Sequence, residues 1–335
     1  MRRSLGFLIV VMFTILGDVG HESGLAKGAT APSGISVAHE PHCSEGAASV
    51  SEASCPANGE PANPTLGTPT VRSQVLPPKS TYNLFHPTPT GRMRPMSTDR
   101  PDQTESPYTV DAGHFQLEMD FVNATFDREA SLRTENRSIA PVNFKVGLLN
   151  NMDIQFVMDT YAYSRVRDRA AGSVAEVSGL GDVATRVKIN FWGNDGGRTA
   201  FGMLPFVKWP LPASDLRNGR TEGGIIFPLA VELAEGWDLG AETALGLVRN
   251  AANDGYDTEF INSVTVGHDL TQTLGVYVEL FTLTNSQPGF GLQGQVDVGA
   301  TYALRENIQL DAGCNFGVTH SAPDFNPFAG LSWRF

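Results

Sequence analysis

Charged side chains recur at every second position within segments whose intervening positions are apolar. In an extended strand such charges share one face, because successive side chains point to opposite sides. Opposed charges along a common wall set an electric field that selects solutes by charge. The residues that we expect to line such a wall are Glu118, Asp120, Lys145, Asp153, Asp159, Asp182, Arg186, Lys188, Asp238, Glu242, Glu279, Asp297, Asp311 and Arg334. The alternative is that these charges pair with one another and hold the wall shut, since buried charges need partners.

Catalytic chemistry has few candidate residues. A membrane-embedded hydrolase needs a serine and a histidine within one hydrogen bond of each other. His268 lies on a segment whose strand phase is ambiguous, and His320 and Ser321 are consecutive, so their side chains point apart. The sequence therefore predicts no catalytic residues and no enzymatic activity.

Metal binding is also weakly supported. His39, His42, Cys43 and Cys55 could form a cluster, but their spacing matches no standard zinc pattern. The two cysteines could instead close one small loop of an exported chain. We predict no bound metal and no cofactor.

The elements that position the alternating charges are predicted to be β-strands. The first places Phe115, Leu117 and Phe121 on one face and Glu118 and Asp120 on the other. This period of two recurs about twelve times, through to the terminal stretch of Ala329 to Phe335. Two strands are less regular, because each contains a proline that removes a ladder hydrogen bond, so we expect a bulge or a site near the rim at Pro205 and Pro228.

The connections between these strands alternate in length. Long polar loops are predicted around 127–137, 165–181, 210–223, 249–256, 285–291 and 320–326, and short turns lie between them. Short periplasmic turns and long external loops are typical of outer-membrane β-barrels. A soluble lipocalin-like barrel has about eight strands and an apolar interior, which suits this pattern less well.

Composition and the N-terminal region limit the remaining classes. With 36 acidic and 24 basic residues the net charge is -12, and the sequence shows no basic patch, so a nucleic-acid partner is disfavoured. The hydrophobic content is too low for helical membrane spans. Residues 1–31, with Arg2, Arg3 and a short apolar run, have the pattern of a secretory signal peptide whose cleavage site is not fixed by the sequence. Residues 32–108 are rich in Pro, Ser and Ala and are predicted to form a disordered periplasmic segment.

Several stretches carry a family resemblance. They are 99–107, 113–118, 179–182, 223–229, 309–313 and 322–324, within a region from Thr98 to Phe335. This region resembles the outer-membrane family labelled as meta-pathway phenol-degradation proteins or transporters. The resemblance implies a barrel and a channel or uptake role beside aromatic catabolism, and it fixes the fold better than the substrate.

Together these observations predict an all-β protein: a transmembrane antiparallel up-and-down β-barrel of about twelve strands over residues 109–335, in the bacterial outer membrane. The terminal strand, with Trp333 and Phe335, resembles the closing strand of bacterial outer-membrane β-barrels, and this resemblance implies that the two residues serve as an assembly signal read by the barrel-assembly machinery. The other expected partners are outer-membrane lipid and small solutes. The predicted function is a channel or transporter for small solutes, including aromatic or hydrophobic ones, and the alternative is a closed structural or binding barrel. Residues 98–107 could act as a partial plug or be a spacer without contacts.

Overall fold

The computed structural model describes residues 76–210, 220–250, 252 and 254–335, all within one compact unit, Gln74–Phe335. The predicted signal peptide, residues 32–75 of the predicted tail, and His39, His42, Cys43 and Cys55 lie outside the described residues. Among the described residues, no helix is long and apolar enough to cross a membrane.

Thirteen strands form the described sheet, and two short 3-10 turns, Lys79–Thr81 and Thr90–Arg92, precede them. The strands are β1 (Phe115–Glu129), β2 (Leu132–Leu149), β3 (Met152–Asp168), β4 (Ser173–Gly179), β5 (Val183–Trp192), β6 (Thr199–Trp209), β7 (Glu222–Ala234), β8 (Trp237–Arg249), β9 (Tyr256–Asp269), β10 (Leu274–Asn285), β11 (Gln293–Arg305), β12 (Ile308–Gly317) and β13 (Phe325–Arg334).

The sheet closes on itself. Apart from β4 and β5, strands that are neighbours in sequence pair antiparallel, and β1 pairs with β13, for example Leu117 opposite Trp333. The strands β4 and β5 both pair with β3, at its outer and inner halves, so together they form one barrel strand interrupted at 180–182. The prediction of an antiparallel barrel of about twelve strands is therefore confirmed.

The outer surface of the barrel is apolar and exposed. Large side chains such as Phe121, Phe156, Phe191, Leu245 and Trp333 are each more than 40% exposed. On the intervening positions polar residues are almost fully buried, as Gln116, Lys188 and Asp297 show. Closure of the sheet pairs the strand backbone groups with one another, and an apolar exterior around a polar interior suits a lipid surrounding.

The two strand prolines do not lie where the sequence suggested. Pro205 and Pro228 lie within β6 and β7, away from the strand ends, and no register shift separates these strands. Instead the β6–β7 ladder lacks pairs opposite Pro228, between the pairs Phe201–Leu229 and Leu204–Ile226. The missing proline N–H is accommodated by an interruption of the ladder, which is why no bulge is needed.

A set of irregularities crosses β1 to β3 near the middle of the wall. The β1–β13 register shifts between Asp120 and Val122, and Ala140 in β2 has a left-handed φ of 52°. Each one exchanges the inward and outward faces of its strand, because side-chain direction alternates with every residue. Beyond these irregularities the alternation is reversed. The side chains that face outward there are the ones that the alternation of the inner parts would place inside.

Candidate functional site: a lumen filled by the N-terminal segment

The lumen of the barrel is occupied by residues 94–111, which we call the lumen segment. The order of this segment differs from the prediction that residues 32–108 are disordered. The structure describes residues 76–108 of that range. The physical reason is that the segment's polar groups find partners on the barrel wall, and these offset the entropy of ordering it. For the described residues, a spacer without contacts is excluded.

Asp99 lies at the centre of the most buried charge cluster. Its carboxylate forms ion pairs with both Lys145 of β2 and Lys188 of β5, and the side chains of all three are at most 5% exposed. Lys145 also pairs with Glu118, with 2.5 Å between Nζ and Oε1. Burial alone would raise the pKa of Asp99, but the charges of the two lysines hold it well below its usual value.

Arg100 fastens the segment to strands β1 and β12. Its Nη2 and Nε donate to the two carboxylate oxygens of Asp311 at 2.6 and 3.2 Å, and Nη2 lies 2.5 Å from Asp120. The guanidinium also lies 5.8 Å from the ring centre of Phe328. A bidentate guanidinium–carboxylate pair that is shielded from water fixes both position and orientation.

Residues 102–104 of the lumen segment face the acidic side chains of strands β10 and β11. The Gln103 amide donates to Asp297 at 2.7 Å, and the backbone N–H of Gln103 donates to Glu279 at 2.8 Å. Thr104 Oγ1 donates to the other oxygen of Glu279 at 2.6 Å. Burial, and then the charge of Glu279, raise the pKa of Asp102 well above its usual value, because both disfavour the ionised carboxylate.

Glu105 forms a contact that lies between two of the cavities beside the segment. Its backbone N–H donates to Glu242 Oε2 at 2.6 Å, and its carboxylate pairs with Arg186. On one side of this contact is a cavity of about 420 Å³ towards the short turns, lined by Thr104, Glu105, Asp238 and residues of β9 and β10. On the other side is a cavity of about 290 Å³ towards the long loops, lined by Arg186 and Glu242. We call the contact of Glu105 with Arg186 and Glu242 the constriction.

The cavity near the long loops, which we call the outer cavity, is amphipathic. Its apolar part contains Phe206, Ile226 and Ile261, beside a small core in which Leu204 and Ala244 are fully or almost fully buried. Its polar part contains Arg186, Lys208, Asp159, Asp182, Glu242 and Glu259. Such a lining suits a small solute with an apolar ring and a polar substituent.

The two ends of the lumen segment are anchored near the short turns. Asp153 accepts a hydrogen bond from the Val110 N–H at 2.9 Å, and Asp111 accepts one from the Arg94 N–H at 3.0 Å. Arg334 of the last strand donates to the Arg94 carbonyl at 2.8 Å. The segment is therefore a loop held at both ends, with its middle reaching into the barrel.

Eleven of the fourteen predicted wall residues are brought together around the lumen segment or its anchors: Glu118, Asp120, Lys145, Asp153, Arg186, Lys188, Glu242, Glu279, Asp297, Asp311 and Arg334. The other three are Asp159 and Asp182, which line the outer cavity, and Asp238, which is exposed and lines the larger cavity. Asp182 lies 3.5 Å from Lys208.

Sequence reasoning missed the apolar part of the lumen. Leu204, Ile226 and Ile261 form or border this apolar part. The alternation places Ile226 on the face opposite Ile225 and Phe227, and the sequence pattern assigns no face to Leu204 or Ile261. The available signal was that the segments of β6 and β7 are apolar at consecutive positions, which obscured their period of two. A strand that is apolar on both faces is expected where one face meets lipid and the other lines an apolar part of the lumen.

Of the two histidines considered for catalysis, His268 makes structural contacts and His320 lies in a loop. His268 Nδ1 contacts the Gly236 carbonyl at 2.8 Å, and its ring stacks on Trp237 with centres 4.1 Å apart. His320 and Ser321 lie in the loop before β13. Within the described part of the chain, no group of three or more His, Cys, Asp or Glu residues is arranged to hold a metal ion.

Several solved structures of outer-membrane proteins are similar to this chain. An outer membrane channel from Pseudomonas putida F1 matches with a TM-score of 0.53 and 12% identity, over 71% of this chain and 100% of that one. The NanC porin matches with a TM-score of 0.41 and 10% identity, over 65% and 98% of the two chains. A monoaromatic hydrocarbon channel, CymD, matches with a TM-score of 0.37 and 8% identity, over 66% and 87%. No curated protein matches the sequence.

The likeness to the Pseudomonas putida channel, together with the apolar exterior, identifies the fold as that of a bacterial outer-membrane β-barrel. The sequence itself gives the family. Residues 98–335, which include the lumen segment from Thr98 onward and the whole barrel, match the family described as "Putative MetA-pathway of phenol degradation". The chain belongs to that family.

Proposed function

We propose that this protein is an outer-membrane channel for small amphipathic solutes, including aromatic compounds with a hydroxyl or carboxylate substituent. The observation that carries the proposal is the pair of cavities on the two sides of the Glu105 constriction. A solute that enters between the long loops reaches the outer cavity first and then meets Glu105. Movement of this one segment would join the two cavities into a path.

The lining of the outer cavity supports the solute class. An aromatic ring packs against Phe206 and Ile226, while a polar substituent can hydrogen-bond to Arg186. The cavity of about 290 Å³ is close to the lower end of ordinary ligand pockets, which begin at roughly 300 Å³. The family description, which refers to phenol degradation, is in keeping with this class.

The contacts of the lumen segment favour a closed resting state. Ion pairs from Asp99, Arg100 and Glu105 join the segment to the wall, so opening requires that several of them break or exchange. A permanently closed structural barrel is the competing function. It has the same resting structure, but no treatment that loosens the segment would produce conductance.

The proposal includes no catalytic step, and the expected partners are outer-membrane lipid, the barrel-assembly machinery and the permeating solutes. The test is uptake into proteoliposomes that contain the full chain. Phenol-sized solutes with one polar group should enter faster than sugars of similar mass. The closed barrel would be favoured if phenol-sized solutes and sugars both entered only at the background rate. The same result would have to hold for Arg100→Gln, in which the segment is loosened.

A further inference from the structure

An arginine cluster lies on the outside of the barrel, at the outer ends of β1, β2 and β3. Cross-strand register sets Arg128 opposite Arg133 and Arg133 opposite Arg167, in one row over three strands. The adjacent row on the same face contains Glu135 and Arg165, which lie opposite each other. This patch was not visible in the sequence, where the arginines are spread over forty positions of an acidic chain, and it corrects the expectation of no basic patch.

The outward direction of the cluster follows from the aromatic residues in the same row. Phe126 lies opposite Glu135 and also opposite Phe325, with which its ring stacks at 6.2 Å. Phe325 in turn contacts Phe316, whose neighbour Asn315 is buried in the lumen. Because directly opposed residues share a face of the sheet, the row that contains Glu135 and Arg165 faces away from the lumen.

The cluster lies just beyond the membrane-spanning part of the wall. Arg128 is the last residue but one of β1, a strand of 15 residues, whereas about 9–11 residues cross the hydrocarbon layer. Closer to the membrane, the same outer surface contains Ile139 and Tyr161, which lie opposite each other on β2 and β3 and are both exposed. The arginines are therefore at the level of the headgroups of the outer leaflet.

The charges of the cluster are incompletely neutralised by the protein. Glu135 pairs with Arg137, and Glu176 pairs with Arg165 at 3.2 Å. Within the described residues no ion pair involves Arg128, Arg133 or Arg167. Like charges directly opposite each other destabilise a sheet, so this row calls for an anion from outside the chain.

A cleft of about 180 Å³ between these side chains is lined by Arg133, Glu135, Arg165 and Arg167. Guanidinium groups bind phosphate through paired N–H donors, and several of them around one cleft can surround a phosphate group. We propose that this cleft binds a phosphate group of the phosphorylated glycolipid in the outer leaflet, lipopolysaccharide. The occupant is a lipid rather than free phosphate, because the cleft faces sideways into the headgroup layer above an apolar surface.

The test compares binding of lipopolysaccharide to the purified full chain and to Arg133→Gln/Arg167→Gln in detergent, by native mass spectrometry and titration. Loss of two charged hydrogen-bonding partners should weaken binding by about tenfold or more. The matched control, Arg249→Gln/Arg305→Gln, removes the same charge elsewhere and should bind as the original protein does. Removal of the phosphates from the glycolipid should reduce binding to the original protein to the level of the variant.

Two outcomes would overturn the proposal. One is equal binding of intact and phosphate-free glycolipid by the original protein, a comparison that needs no variant. The other is displacement of the glycolipid by inorganic phosphate at an equal concentration, which would assign the cleft to a free anion.

Discussion

Arg100 and Asp311, which are 211 positions apart in sequence, form a bidentate ion pair inside the barrel, with Nη2–Oδ1 and Nε–Oδ2 distances of 2.6 and 3.2 Å. The pair joins the lumen segment to β12, and Arg100 also reaches Asp120 of β1. It thus holds the segment against the part of the wall where the sheet closes. It is one of several ion pairs that connect the lumen segment to the barrel wall, beside those of Asp99 and Glu105.

The Arg100–Asp311 pair should control how firmly the segment is held. Arg100→Gln removes the charge and leaves two buried carboxylates without their partner, a change that costs about 3–5 kcal/mol when a buried pair is broken. We expect higher mean single-channel conductance and faster proteolysis of the segment in the folded barrel. Arg305→Gln, at the exposed end of β11, is the control. Proteolysis and conductance equal to those of the control would show that the pair does not restrain the segment.

Replacement of an aspartate by asparagine should have different effects on stability at Asp99 and at Asp102, which are three positions apart in the lumen segment. Asp99→Asn removes the partner of Lys145 and Lys188 and should lower stability by about 3–5 kcal/mol. Asp102→Asn should leave stability unchanged or raise it, since burial and the charge of Glu279 both disfavour the ionised form of this carboxyl. The measurement is the temperature at which the folded, fast-migrating form is lost on unboiled gels. Equal losses for both variants would contradict the assigned charge states.

The apolar part of the outer cavity should select aromatic solutes. Ile226→Asn places an amide beside Phe206 and reduces the apolar surface that a ring can cover. Uptake of a phenol-sized aromatic compound into proteoliposomes should fall several-fold, while uptake of a polar solute of equal size should not. A parallel decrease for both solutes would indicate a blocked path rather than lost selectivity.

The terminal residue should matter for barrel closure and insertion. Phe335 exchanges two backbone hydrogen bonds with Phe115, at 3.0 and 2.9 Å, and stacks on its ring at 5.9 Å. Phe335→Asp should reduce the amount of folded protein in the outer membrane while export continues, whereas Phe335→Tyr should be tolerated. Unchanged membrane yield with Asp would show that the terminal aromatic residue is incidental to assembly.

The barrel was predictable from sequence because its strands obey one local rule. Each alternates lipid-facing and lumen-facing residues, so positions such as Phe115, Glu118 and Asp120 indicate both strand and face. The rule failed at β6 and β7, where Leu204 and Ile226 make the lumen face apolar too. It also failed beyond Ala140, where an irregular backbone exchanges the two faces and turns arginines outward.

The lumen segment was less predictable, because its order depends on long-range contacts. Nothing within the sequence around Asp99 indicates structure, since its partners Lys145 and Lys188 lie on distant strands. Composition alone therefore favours disorder for residues 76–108. The charges on the wall were the available signal: buried Lys145 and Lys188 need an acidic partner, and the lumen segment supplies one.

The central claim is that the lumen segment limits permeation, and conductance in planar bilayers tests it most directly. Full-length protein should be compared with a chain that keeps residues 1–75 but lacks residues 76–107, both confirmed as folded by their mobility on unboiled gels and their strand content by circular dichroism. We predict a several-fold increase in single-channel conductance on deletion, since the segment fills the path between the two cavities. Equal conductance of the two folded proteins, or none in either, would contradict the account.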